Sequence, residues 1–239
     1  MSARHAELEA NLGAVRRRIA AAEESAGRGT GSVDLVVVTK FFPAADVRLL
    51  AGLGVADVGE NRHQEAQAKA ADCADLPLRW HFIGGLQSNK AAAVASYADV
   101  VESVDRPKLV TALSRGRADR VERGAASGPL DCLVQVSLDP PDADHRAGCP
   151  PEDLAALCAR VADAEQLRLA GLMAVAPLGE DPAAAFDRLA TYAAAVRSDH
   201  PGATTLSAGM SGDLEAAVAA GATHVRVGSA VLGARPRVQ

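Results

Sequence analysis

Short apolar runs rich in Val and Leu recur along this chain, separated by stretches whose apolar residues fall at helical spacing. The clearest run is Asp34-Leu-Val-Val-Val-Thr-Lys40, whose length and β-branching predict a buried strand. Further strands are predicted near 56–59, 80–83, 99–104, 131–138, 168–175, 204–207 and 224–228. Helices are predicted over 43–52, 62–71, 88–97, 107–123, 151–164, 182–198 and 211–220. Ahead of this alternation, Leu8, Leu12, Val15 and Ile19 form one stripe and predict an amphipathic N-terminal helix. Gly27-Arg-Gly-Thr-Gly31 then reads as a flexible link. Pro43 and Pro107 in first turns, with Ser88 and Ser211 as caps, mark helix starts.

Eight strands alternating with helices imply a parallel sheet, and eight is the number that closes a barrel of about 250 residues. No Pro/Ser-rich tract or internal repeat divides the 239 residues. The expected fold class is α/β, a single (β/α)8 TIM barrel over 31–239 with an extra N-terminal helix and link over 1–30. An open doubly wound sheet is the fallback, but no Gly-x-Gly-x-x-Gly follows the first strand.

Composition narrows the partners. With 49% hydrophobic and 23% charged residues the chain can bury a substantial core. The net charge of −5 and the lack of a basic patch argue against nucleic acid. Arg16-Arg-Arg18, the strongest basic cluster, reads as the solvated face of the first helix. Cys73, Cys132, Cys149 and Cys158 form no Cys-x-x-Cys pair and have no His at metal-ligand spacing, so no metal is expected. No apolar run is long enough for a bilayer and no signal peptide is evident, which predicts a cytoplasmic protein with reduced thiols and no membrane partner.

The chemistry begins at Lys40. A primary amine just past a buried strand is partly desolvated, which favours the neutral, nucleophilic form that attacks an aldehyde. Near the other end, Ser207-Ala-Gly-Met-Ser-Gly-Asp213 and Val225-Arg-Val-Gly-Ser229 place small and hydroxyl residues where a strand gives way to a helix. Free backbone N–H groups at such places suit a phosphate. In a barrel the site lies at the C-terminal strand ends, phosphate often sits after strands seven and eight, and closure sets strand eight beside strand one. An amine beside an anion cradle fits a phosphorylated aldehyde, either pyridoxal 5′-phosphate or a phosphosugar in a Schiff-base aldolase.

These residues, together with Gly59-Glu-Asn-Arg62, His81-Phe-Ile-Gly-Gly-Leu-Gln-Ser-Asn-Lys90 and Gly171-Leu-Met173, resemble the pyridoxal phosphate homeostasis protein family. That family comprises single-barrel relatives of the alanine racemase N-terminal domain, and the resemblance runs from about Asp34 onward. It implies that Lys40 carries pyridoxal 5′-phosphate as an internal aldimine. Ser211, Gly228 and Ser229 would surround the phosphate, with Met210 and Ser207 close by. Asn61 would lie near the aldimine side of the ring, and Arg226 would point at the pyridine nitrogen. A guanidinium can only donate there, which would keep the nitrogen unprotonated and weaken the ring as an electron sink.

Other residues carry two readings. His81, expected at the end of its strand on the catalytic rim, would shape the pocket or bond a loop carbonyl. Gln87, Asn89 and Lys90 would meet an anion or face solvent, and Met173 is a further pocket candidate. Tyr97 and Tyr192 are expected to pack. The loop Asp144–Gly148 carries Arg146 where the family often has lysine. Racemisation needs an acid and a base on opposite faces of the substrate. The resemblance implies that the racemase C-terminal β-domain, which supplies the opposing tyrosine, is lacking here. The expected function is therefore a non-catalytic, monomeric carrier that buffers pyridoxal 5′-phosphate for vitamin B6 homeostasis and delivers it transiently to apo-enzymes. A weak amino-acid racemase, a Schiff-base aldolase and a purely structural barrel remain the alternatives.

Overall fold

Eight parallel strands close on themselves in the computed structural model, which describes residues 2–140 and 147–234. They are β1 (Asp34–Val38), β2 (Asp57–Glu60), β3 (Arg79–Phe82), β4 (Val100–Val104), β5 (Leu130–Gln135), β6 (Leu167–Met173), β7 (Thr205–Ser207) and β8 (His224–Val227). The helices are α1 (Ala3–Ser25), α2 (Ala44–Gly52), α3 (His63–Asp72), α4 (Ala91–Ala95), α5 (Pro107–Glu122), α6 (Leu154–Ala162), α7 (Pro182–Asp199), α8 (Leu214–Ala219) and α9 (Ser229–Leu232). The barrel expected from the alternation is present, with every predicted strand within a few residues of its place. At the seam β8 pairs with β1, setting Arg226 opposite Val36 and Val227 opposite Val37. Residues 144–146, including Arg146, lie outside the described residues.

Strand alternation sorts the side chains into two layers. Val37, Val58, Trp80, Val225 and Val227 face outward and pack with Leu8, Leu12, Val15 and Ile19 of α1, so the predicted apolar stripe is buried. The inward layer of a TIM barrel is usually bulky and branched. Here Val100, Leu133 and Met173 form only a small apolar cluster inside. The rest of the interior carries His81, Glu102, Ser207 and Arg226, each at most 4% exposed.

Gly171 sets the β6–β7 contact. Its φ is +153°, and a Cβ there would lie 1.8 Å from the carbonyl oxygen of Thr205. Only glycine lets the short strand β7 come in close enough to pair.

Three local expectations need correction. Ser88 and Ser211 cap nothing: α4 begins after Lys90 and α8 after Asp213. Asp213 instead accepts a 2.6 Å hydrogen bond from the Met210 N–H, closing a turn that delays α8. Pro43 is the N-cap of α2, whereas Pro107 does open α5. The Arg16–Arg18 cluster is more than a solvated face. Arg16 donates to the Gly54 carbonyl (3.0 Å), and Arg18 donates to the Ser211 carbonyl (3.2 Å) and pairs with Glu215. The stripe that buries α1 aims these arginines at barrel loops. Among the described residues no helix is long and apolar enough to cross a membrane.

Candidate functional site

A cavity of about 280 Å³ opens at the C-terminal ends of β1 and β8. Its wall includes Lys40, Met210, Ser211, Arg226, Gly228 and Ser229. Six of the eight expected cofactor-binding residues therefore meet in one place, although they come from opposite ends of the sequence. The β1–β8 pairing explains this. Lys40 lies two residues past the end of β1 and Gly228 one residue past β8. The Ser211 and Ser229 hydroxyls stand 3.4 Å apart at the mouth.

The other two expected binders stand outside this wall. Ser207 is fully buried beneath it, and its hydroxyl donates to Glu102 Oε2 (2.6 Å) while accepting from Arg226 Nη1 (2.6 Å). Asn61 follows β2 and keeps a buried Oδ1 with no hydrogen-bond partner. Sequence reasoning missed the apolar part of the wall, Val38, Phe41, Phe42 and Ile83. Phe41 and Phe42 follow Lys40 directly and could have been found from that adjacency.

None of the additional pocket candidates lines the cavity. His81 is not at the rim: it is the third residue of β3, 2% exposed, with Nδ1 2.7 Å from Glu102 and Nε2 2.9 Å from Asp57. Strand alternation, which turns Trp80 outward, turns His81 into the barrel between these two carboxylates. Met173 packs with Val100 and Leu133 inside the barrel. Gln87 and Asn89 are exposed on the β3–α4 loop and Lys90 is half-buried before α4. That loop turns close because Gly84 carries no side chain; a Cβ there would sit 2.2 Å from the Asn61 carbonyl oxygen. Tyr97 and Tyr192 pack against the outer core, as expected.

Beneath the cavity runs a chain of alternating charge. Arg226 donates from Nη1 to Ser207 and from Nη2 to the Ala174 carbonyl (2.9 Å), with Glu102 Oε2 3.7 Å away. Burial alone would lower the His81 pKa, but hydrogen bonds and charge from Asp57 and Glu102 outweigh it and raise it to about 9. Burial likewise opposes ionisation of Glu102, yet His81 and then Arg226 and Ser207 hold it down at about 2. The imidazolium donates from both nitrogens. Arg226, Glu102, His81 and Asp57 thus neutralise one another in sequence, which is the condition for burying charge inside a barrel.

Comparison with known proteins adds relatives. The alanine racemase N-terminal domain family matches residues 10–236. A pyridoxal phosphate homeostasis protein of Mycobacterium tuberculosis is 45% identical, covering 97% of this chain and 94% of the relative. One from Pseudomonas aeruginosa is 43% identical over 94% of each. PipY of Synechococcus elongatus, solved with PLP bound, superposes with a TM-score of 0.79 at 37% identity, covering 95% of this chain and all of that one. Alanine racemase from Corynebacterium glutamicum shares the fold (TM-score 0.64, 16% identity), and the match covers 63% of that longer chain.

Proposed function

Because this chain belongs to the alanine racemase N-terminal domain family, among its pyridoxal phosphate homeostasis proteins, we propose that it binds pyridoxal 5′-phosphate reversibly at the β1–β8 cavity and buffers it. The observation that carries the reading is the convergence of one lysine amine and two serine hydroxyls on a single cavity wall. When bound, the cofactor supplies a reactive aldehyde, a phosphate and an electron-withdrawing pyridine ring.

The residues present fit that group. Lys40 would hold the aldehyde carbon covalently and reversibly. Ser211 and Ser229 offer hydroxyl donors to the phosphate, and Gly228, whose missing Cβ lets the end of β8 lie close against Val38, adds bare backbone to the same wall. Asn61 Oδ1, unpartnered but buried outside the wall, would have to turn toward the cavity to accept from the ring substituents. Arg226, anchored by Ser207 and Ala174, would donate to the ring nitrogen and keep it from acquiring a proton. A damped ring and reversible capture suit storage and release better than turnover. On this reading the protein works in the cytoplasm as a monomer, limits free aldehyde, and hands cofactor to apo-enzymes in transient encounters.

Borohydride trapping tests it. Purified protein titrated with pyridoxal phosphate is expected to gain a visible absorbance band that reduction abolishes. Peptide mapping should then find one cofactor, on Lys40 among the four lysines of the chain. Label on Lys90 or Lys108 instead, or no label, would overturn the proposal.

A further inference from the structure

The backbone on both sides of Lys40 is tied to one buried side chain outside the cavity wall. Phe41 is the one non-glycine residue with positive φ (72°) among the described residues. A bulky side chain holds that conformation only where its surroundings over-determine it. Its N–H donates to Glu65 Oε1 at 2.6 Å, and the Arg62 guanidinium lies over its ring at 5.0 Å. On the other side, the Thr39 hydroxyl donates to Glu60 Oε1 at 2.6 Å, and the Thr39 N–H bonds the Gly59 carbonyl at 3.0 Å.

Lys69 joins these two sides. Its ammonium donates to the Thr39 carbonyl (2.8 Å), to Glu60 Oε1 (2.7 Å) and to Glu65 Oε1 (2.6 Å). An ammonium has three donors, and all three are engaged. The side chain is only 7% exposed, so the pairing is poorly screened by water. Lys69 therefore fixes residue 39 directly and residue 41 through Glu65, bracketing the amine-bearing residue between them.

We infer that Lys69 is a positioning residue, holding the Lys40 amine in the attitude that captures an aldehyde inside the cavity; this rests on the cofactor reading given above. It is not among the residues that line the cavity. Its loss should slow capture and leave the phosphate end of the site alone. An ångström of misplacement at a reacting centre costs up to about a hundredfold in rate.

The test measures two quantities on the whole chain. One is the second-order rate of adduct formation with pyridoxal phosphate, followed by absorbance. The other is the affinity for pyridoxine 5′-phosphate, which carries the same phosphate and ring but no aldehyde. Lys69→Met is expected to lower the capture rate at least tenfold and to leave pyridoxine phosphate affinity within about twofold. Lys69→Arg, which keeps charge and donors, is expected to restore most of the rate. Should Lys69→Met fail to fold, Glu65→Ala carries the test, since it frees the Phe41 N–H and is expected to show the same split. Unchanged capture in the variants overturns the inference, and so does an equal loss of capture and analogue affinity. Wild-type protein that forms no adduct on Lys40 overturns the cofactor reading instead, so the two failures are distinguishable.

Discussion

Lys40→Ala is expected to abolish covalent retention of pyridoxal phosphate and to weaken its overall binding by about a hundredfold or more, equivalent to roughly 3 kcal/mol. Removing the amine takes away the one lysine amine among the described residues of the cavity wall, because Lys69, Lys90 and Lys108 are absent from it. Ser211, Ser229 and Gly228 still face the cavity, so a weak, phosphate-dependent association should survive. Equilibrium dialysis gives the affinity, and borohydride reduction followed by mapping shows whether any cofactor becomes fixed. Pyridoxine phosphate, which lacks the aldehyde, should bind the variant within a few-fold of wild type. A Lys40→Ala protein that still traps cofactor on reduction would place the reactive amine elsewhere. The same variant separates a racemase from a carrier: conversion of L-alanine by wild type that disappears in Lys40→Ala would favour turnover over storage.

Much of this site is legible in the sequence alone. Asp34–Val38 reads as a strand because β-branched residues at that density suit little else, and the Ser/Gly segments read as anion-binding because they follow strands. Eight such strands suit a closed barrel, and the β1–β8 pairing that closes it makes Lys40 and Ser229 neighbours. What stayed hidden depends on register and on tertiary burial. Both faces of a barrel strand are buried, so alternation does not say which residues face inward. His81 looked like a rim residue, and only its pairing across β2 and β4 to Asp57 and Glu102 shows it to be an interior cation. Lys69 and Glu65 are four apart on a helix, which reads as an ordinary surface pair. Their burial against Thr39 and Phe41 follows from where α3 packs, and no local pattern announces it. Ser211 reads as a helix cap from the sequence, whereas Asp213 takes the N-cap position of α8.

The interior charges set the second large expectation. Glu102→Gln should destabilise the fold by about 3–5 kcal/mol, because it strips the shared carboxylate from between two buried cations, His81 and Arg226. The loss should depend on pH in a definite direction. His81 titrates near 9 in the fold against 6.5 for a free imidazole. A raised pKa means that this contribution is whole below about pH 6.5 and fades as pH rises through about 9. Glu102 titrates near 2 against 4.5, so its side of the same pairing is whole above about pH 4.5 and fades as pH falls toward about 2. These shifts describe one interaction seen from its two partners and count once, at up to about 3 kcal/mol. Wild-type stability in urea should therefore drop between about pH 6 and about pH 9.5. In Glu102→Gln the drop should be shallower, since His81 keeps only Asp57 to hold its proton. The surviving pairing with Asp57 leaves some alkaline slope, so the variant's curve should lie between that of wild type and a flat line. An alkaline slope equal to that of wild type would mean that Glu102 does not hold the His81 proton.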